Sequence, residues 1–234
     1  MDISGFITAI NNNTPTVFIR FGDGEYYAAI QRTGGNCDGT PYTPRLRVAI
    51  RLAFSELLKN PIVTIGRWHQ EVVTGYLTSL APYDCEINWG LFNTFMFQSY
   101  EEFMLTYVNL YRTIRFASQQ KIFICNEMLI ESSKLLLNID NHIKIHPRNW
   151  FEEEFNKVYT EIKSTIKAPS NVIFLVSAGM GGKYLIYKLA TDYPYSLIFD
   201  VGSALDQICG SRRTRNYHKL SSDTIQAIWE AIIG

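Results

Sequence analysis

Short β-branched and aromatic runs alternate along this chain with longer stretches of helical period, and no other feature limits its fold so strongly. Strands separated by helix-length segments cannot pair as hairpins. They return to the sheet in the same direction, which implies a mainly parallel sheet covered by helices on its faces. Strands are expected at residues 16–20, 62–66, 121–125, 142–146, 172–176 and 196–200, about six in all. Helices are expected at about 2–11, 25–32, 44–59, 70–80, 100–118, 128–137, 150–166, 181–191 and 223–233. Pro44 reads as the first helical residue after Thr43 as N-cap, and Asn60-Pro61 closes that helix.

No Ser/Gly-rich linker, repeat or low-complexity tract divides the 234 residues, so one domain spanning 1–234 is expected, and 47% hydrophobic residues suffice for its core. Segments 33–43 and 81–90 carry clustered Gly and Pro and read as loops over a cleft. Formal net charge is zero, so nucleic acid is not an expected partner and any anion must be recognised locally. No apolar run approaches the roughly 20 residues that span a bilayer. Residues 1–10 lack a basic segment and a small-residue cleavage site, so no secretory signal is expected. The four cysteines form no C-x-x-C pair, so they read as reduced thiols of a cytoplasmic protein.

The first segment with chemistry in it is Arg20-Phe21-Gly22-Asp23-Gly24-Glu25, directly after the first expected strand. Ligands of open α/β sheets collect at the carboxyl ends of strands, which places these two acids for chemistry. Two carboxylates one residue apart can hold a hard divalent ion through oxygen. Gly22 and Gly24 let the backbone come close to a diphosphate, and Arg20 is either the acids' ion-pair partner or a phosphate ligand. Spacing alone also fits an Asp-Gly turn with Glu25 in the first turn of a helix.

A second unit lies late in the chain. The buried-strand run 172–176 leads through Ser177-Ala178-Gly179-Met180-Gly181-Gly182-Lys183 into an amphipathic helix, an arrangement that presents free N–H groups and a helix dipole to an anion. The next strand ends at Asp200, about 20 residues after the glycines, the offset at which a carboxylate meets ribose hydroxyls. The unit reads as nucleotide binding. It is neither a Walker A loop nor a clean dinucleotide fingerprint, because Ser177 and Tyr184 stand where those motifs need other residues. Beyond it, Arg212, Arg213, Arg215 and Lys219 form a local basic patch suited to a diphosphate.

Together the three segments resemble the GT-D-type glycosyltransferases, whose pattern is matched here by Arg20 to Glu25, Ser177 to Lys183 and Asp200-Val201-Gly202-Ser203. Ser203 stands where many members have a histidine. The resemblance implies a Rossmann-like fold, a divalent metal (Mn2+ or Mg2+) at Asp23 and Glu25, and a nucleoside-diphosphate sugar donor serving a glycan or other hydroxyl acceptor. Arg20, Lys183 and Arg215 are the expected phosphate contacts, with Phe21, Gly22, Ser177, Gly179, Gly181 and Asp200 completing the donor site. Sugar transfer needs charge on the departing phosphate stabilised, and an inverting reaction needs a base. Glu25, Asp206, His218 and His69 are the candidates for such catalytic work.

His142 and His146 each sit alone at a strand end and read as structural, and Trp89 and Asn93 suit core and cap better than an acceptor sugar. Two rivals share some of these features. One is a methyltransferase, with the glycine turn around S-adenosylmethionine and Asp200 on its ribose. The other is a non-catalytic nucleotide- or carbohydrate-binding module.

Overall fold

Val172-Ile173-Phe174-Leu175-Val176 is buried at every position, which only a strand covered on both faces can be, and it lies inside the sheet. The chain, seen here as a computed structural model, is described at residues 1–36, 39–68, 70–83, 85–97, 101–146, 149–210 and 220–234. Its sheet has seven strands: β1 (Thr16–Phe21), β2 (Val63–Arg67), β3 (Trp89–Leu91), β4 (Gln120–Cys125), β5 (Asn141–Lys144), β6 (Val172–Val176) and β7 (Leu197–Asp200). They run in the order β3-β2-β1-β7-β6-β4-β5, and every pairing is parallel. The α/β architecture is the expected one, with one strand more than the six read from the sequence. That strand, β3, has three residues, none buried, and it carries no β-branched residue. It therefore gives no strand signal, and its first two residues belong to the segment 81–90 that reads as loop.

The helices are α1 (Ile3–Asn11), α2 (Asp23–Ala29), α3 (Pro44–Leu57), α4 (Glu71–Leu80), α5 (Glu101–Phe116), α6 (Ile130–Leu137), α7 (Trp150–Glu153), α8 (Phe155–Thr165), α9 (Gly181–Asp192), α10 (Asp206–Cys209) and α11 (Ser222–Ile233). Thr43 caps α3 as expected, its Oγ1 accepting the Leu46 N–H at 3.0 Å with Pro44 in the first turn. The single helix expected over 150–166 is instead α7 and α8, because Glu154 leaves the helical region (φ −122°, ψ 0°). None of the described helices is long and apolar enough to cross a membrane.

The period of two divides the core into two layers. Val17, Ile19 and Phe21 of β1 and Val172, Phe174 and Val176 of β6 face α2, α3, α4, α8 and α9. Phe18, Ile173 and Leu175 face α1, α5, α6, α10 and α11. This division positions the site. β1 and β7 are neighbours, yet the chain leaves β1 into α2 on one face and β7 into α10 on the other. The divergence opens a crevice at their carboxyl ends, where open α/β sheets bind ligands.

Candidate functional site

Arg20 and Asp200 meet at the foot of that crevice, on adjacent strands but 180 residues apart in sequence. The Asp200 carboxylate accepts the Arg20 backbone N–H at 3.1 Å and its Nε–H at 3.3 Å, and also bonds the Lys183 ammonium. All three side chains are largely buried, at 11%, 5% and 4% exposure in the order Arg20, Asp200, Lys183. Lys183 in turn lies 3.4 Å from Glu25 Oε1, so one chain of charges ties β1, β7, α9 and α2 together. Burial alone pushes the Asp200 carboxyl up, but Arg20 and then Lys183 outweigh it and hold the group below the usual aspartate range.

The first turn of α2 is built by the motif itself. Glu25 Oε2 reaches back to accept the N-cap Gly22 N–H at 2.9 Å, and Asp23 Oδ1 accepts the Gly24 N–H at 2.9 Å. Asp23 is exposed, whereas Glu25 is mostly covered. On the far side of the crevice the Ser177–Gly181 turn enters α9. The N–H groups of Gly179, Met180 and Gly181 donate no backbone hydrogen bond among the described residues, and Gly179 takes φ +57°. Those free donors at a helix N-terminus, with the Ser177 hydroxyl, suit an anion.

These pieces line one cleft of about 620 Å³. Of the expected site residues it gathers Arg20, Gly22, Asp23, Glu25, Ser177, Gly179, Gly181, Lys183 and Asp206. Two expectations need correction. Phe21 turns its side chain into the core, fully buried against Phe54 (4.6 Å) and Tyr76 (6.1 Å), because alternation along β1 sends it to the face opposite Arg20. Asp200 does not line the cleft: it lies beneath it as counter-ion to Arg20 and Lys183, so its oxygens are not offered to a ribose. Arg215, His218 and His69 lie outside the described residues.

His142 bonds the Ser133 hydroxyl at 3.0 Å, and burial lowers its pKa, in keeping with a structural role. Trp89 lies under the Arg67 guanidinium, and neither it nor Asn93 reaches the cleft. The ring that does is Phe92, with the Arg20 guanidinium 4.9 Å from its centroid and Trp68 edge-on at 5.0 Å. Sequence reasoning missed Trp68, Phe92, Asn126, Asn149 and Glu152. Trp68, just past the end of β2, and Asn126, just past the end of β4, carried a positional signal as strand-end residues; the others carried none. Burial, and then the Asp206 carboxylate, pushes the Cys125 thiol up to about 12, so it stays protonated and inert.

Gly202 follows β7 with φ +50°, and a Cβ there would stand 1.4 Å from Arg20 Nη2. Only glycine both adopts this backbone and admits the guanidinium. Gly202→Ala is expected to lower unfolding free energy by about 1–3 kcal/mol. Urea unfolding checks this, and a midpoint equal to that of the parent protein would contradict it.

A divalent metal fits this donor set in a limited way. Among the described residues no three His, Cys, Asp or Glu side chains come together as a cage. Asp23 has one carboxylate oxygen without a partner among the described residues, while Glu25 is shared with the Gly22 N–H and Lys183. Mg2+ and Mn2+ are commonly held by one or two carboxylates, water and a ligand's phosphates, and that is the set available here. The charges agree. Among the described residues two cations, Arg20 and Lys183, stand against five carboxylates, Asp23, Glu25, Glu152 and Asp206 lining the cleft and Asp200 beneath it, so a diphosphate entering alone meets an excess of negative charge.

No protein-family model matches the chain, and no curated protein sequence does. A solved structure matches: that of the highly conserved domain of unknown function 1792, described as having a distinct glycosyltransferase fold. It superposes with a TM-score of 0.58 at 14% identity, covering 86% of this chain and 77% of that one. At this identity the likeness establishes the fold, a parallel α/β sheet flanked by helices.

Proposed function

We propose that the protein is a metal-dependent glycosyltransferase of the GT-D type, acting on a nucleoside-diphosphate sugar. The observation that carries this reading is the convergence in one cleft of the Arg20–Glu25 segment and the Ser177–Lys183 turn, two cations and an uncommitted carboxylate at the carboxyl ends of β1 and β6. The fold neighbour supports it.

In this reading the outer guanidinium N–H groups of Arg20, which have no protein acceptor among the described residues, and the N–H groups of Gly179 to Gly181 bind the diphosphate. Lys183 lies behind them as a buried positive charge, and together they take up the charge that grows as the nucleotide departs. Asp23, with Glu25 beside it, holds Mn2+ or Mg2+, which supplies further charge neutralisation on the phosphates. Trp68 and Phe92 offer aromatic surface beside Arg20 for the base. Of the acids considered as general base, Glu25 is tied to the cap and to Lys183, and Asp206 lines the same cleft as the other candidate among the described residues. The engagement of Asp200 by two cations weighs against the methyltransferase alternative, which needs that carboxylate on a ribose.

Thermal denaturation with UDP, GDP or dTDP, each with and without manganese, tests the reading. One nucleotide with manganese is expected to raise the midpoint by about 5–10 °C near a hundredfold excess over its Kd. An equal shift in excess EDTA overturns the metal dependence. A shift with S-adenosylmethionine alone overturns the glycosyltransferase.

A further inference from the structure

Half of the cleft has no part in the donor site described above. Its other wall comes from the ends of β4 and β5 and from α7, through Asn126, Asn149, Trp150, Phe151 and Glu152. β4 is three strands away from β1 in the sheet, roughly 14 Å at ordinary strand spacing, which leaves room for a second ligand beside the first. The two walls differ in chemistry. Arg20 and Lys183 lie on the side of β1, β7 and α9, whereas among the described residues lining the β4/β5 wall there is no Lys or Arg.

What that wall offers is a mixture of hydrogen-bond donors and acceptors. Asn126 Oδ1 accepts the Met128 N–H at 2.9 Å, so its amide N–H groups are left, and they find no acceptor among the described residues. Asn149, held at φ +60° before α7, makes no side-chain cap bond, and its amide finds no partner among the described residues. Glu152 is fixed from behind. Its Oε1 takes the Thr43 hydroxyl, its Oε2 lies 3.7 Å from Arg45 Nη1, and Arg45 also donates to its backbone carbonyl at 2.6 Å. The carboxylate is thus aimed while 28% of the side chain stays exposed.

A diphosphate only accepts hydrogen bonds and would be repelled by Glu152, so this wall is unsuited to it. A sugar hydroxyl both donates and accepts, and a ring bearing several of them matches amide donors set beside a carboxylate. We infer that the β4/β5 wall is the acceptor subsite, that it takes a neutral, hydroxyl-rich sugar ring, and that Glu152 orients the ring by accepting from its hydroxyls. This rests on the glycosyltransferase reading only for the word acceptor. The sugar-binding chemistry stands on the wall itself.

The test is saturation-transfer NMR with the methyl glycosides of glucose, galactose and N-acetylglucosamine, in the presence of UDP and manganese, on the parent protein, Glu152→Gln and Asn149→Gly. Glutamine preserves size and can still accept from Thr43, and glycine preserves the positive φ. At least one glycoside is expected to bind the parent, and each substitution to weaken it by about tenfold or more, well beyond any change in UDP affinity. If no glycoside binds, or if glycoside and UDP weaken equally, the subsite is refuted. A parent protein that binds glycoside through Glu152 but shows no response to any nucleotide would sink the donor reading and leave the sugar subsite in place.

Discussion

Asp200→Ala costs the fold about 3–5 kcal/mol, because it leaves the buried cations Arg20 and Lys183 facing each other without their shared counter-ion. Asp200→Asn costs less, since its amide oxygen can still accept the Arg20 N–H. Urea unfolding at neutral pH measures both, and a pairing of Asp200→Asn with Lys183→Met should recover part of the loss, as expected for residues that interact directly. The pH dependence has a definite sign. The folded pKa of Asp200 is depressed, so its contribution is complete at neutral pH, above the ordinary value near 3.9, and disappears as pH falls through the folded value. The stability gap between parent and Asp200→Asn should therefore hold from pH 7 to about pH 5 and close in stronger acid. A gap that widens with acid would contradict the assignment.

Asp23→Ala has the opposite profile. Asp23 is exposed, and among the described residues its side chain only accepts the next residue's backbone N–H, so unfolding free energy should move by no more than about 0.5 kcal/mol. Metal-supported release of nucleoside diphosphate from the donor sugar should fall by about 10²–10³-fold, the scale of removing one group that stabilises transition-state charge. Calorimetric titration of manganese into the UDP complex gives an independent reading, in which the variant binds the metal weakly or not at all. Unchanged manganese affinity would remove Asp23 from the metal site. Glu25 does not separate the two effects so cleanly, because it caps α2 and pairs with Lys183, and its removal would lower stability and activity together.

The sheet and most of its helices were legible because their signals are local. β6 is five apolar residues in a row, and α3 carries both its cap and its first-turn proline in the sequence. The coming together of the Arg20–Glu25 and Ser177–Lys183 segments in one cleft was legible for a similar reason, since glycines beside charged residues at strand ends mark both. The role of Asp200 was not. A strand-end acid looks the same whether it meets a ribose or two buried cations, and those cations come from residues 20 and 183. Glu152 was hidden among Glu153 and Glu154, a run that reads as a solvated helix end. What singles it out is a hydroxyl from Thr43 and a guanidinium from Arg45, about 109 and 107 residues away along the chain.

The neighbouring positions of β1 and β7 also bear on how the chain matures during synthesis. At ribosomal rates of about 5–20 residues per second, the 180 residues between Arg20 and Asp200 take roughly 10–40 s to appear. Once β2 has been made β1 can pair with it, but until β7 appears the other edge of β1 is open and the Arg20 guanidinium lacks its carboxylate partner. The nascent chain therefore carries an unpaired inner strand edge, the kind of surface that chaperones cover and that aggregates when left bare. Arrival of β7 closes that edge and completes the ion pair in one step, so the β1/β7 end of the cleft cannot be assembled before the sheet is whole.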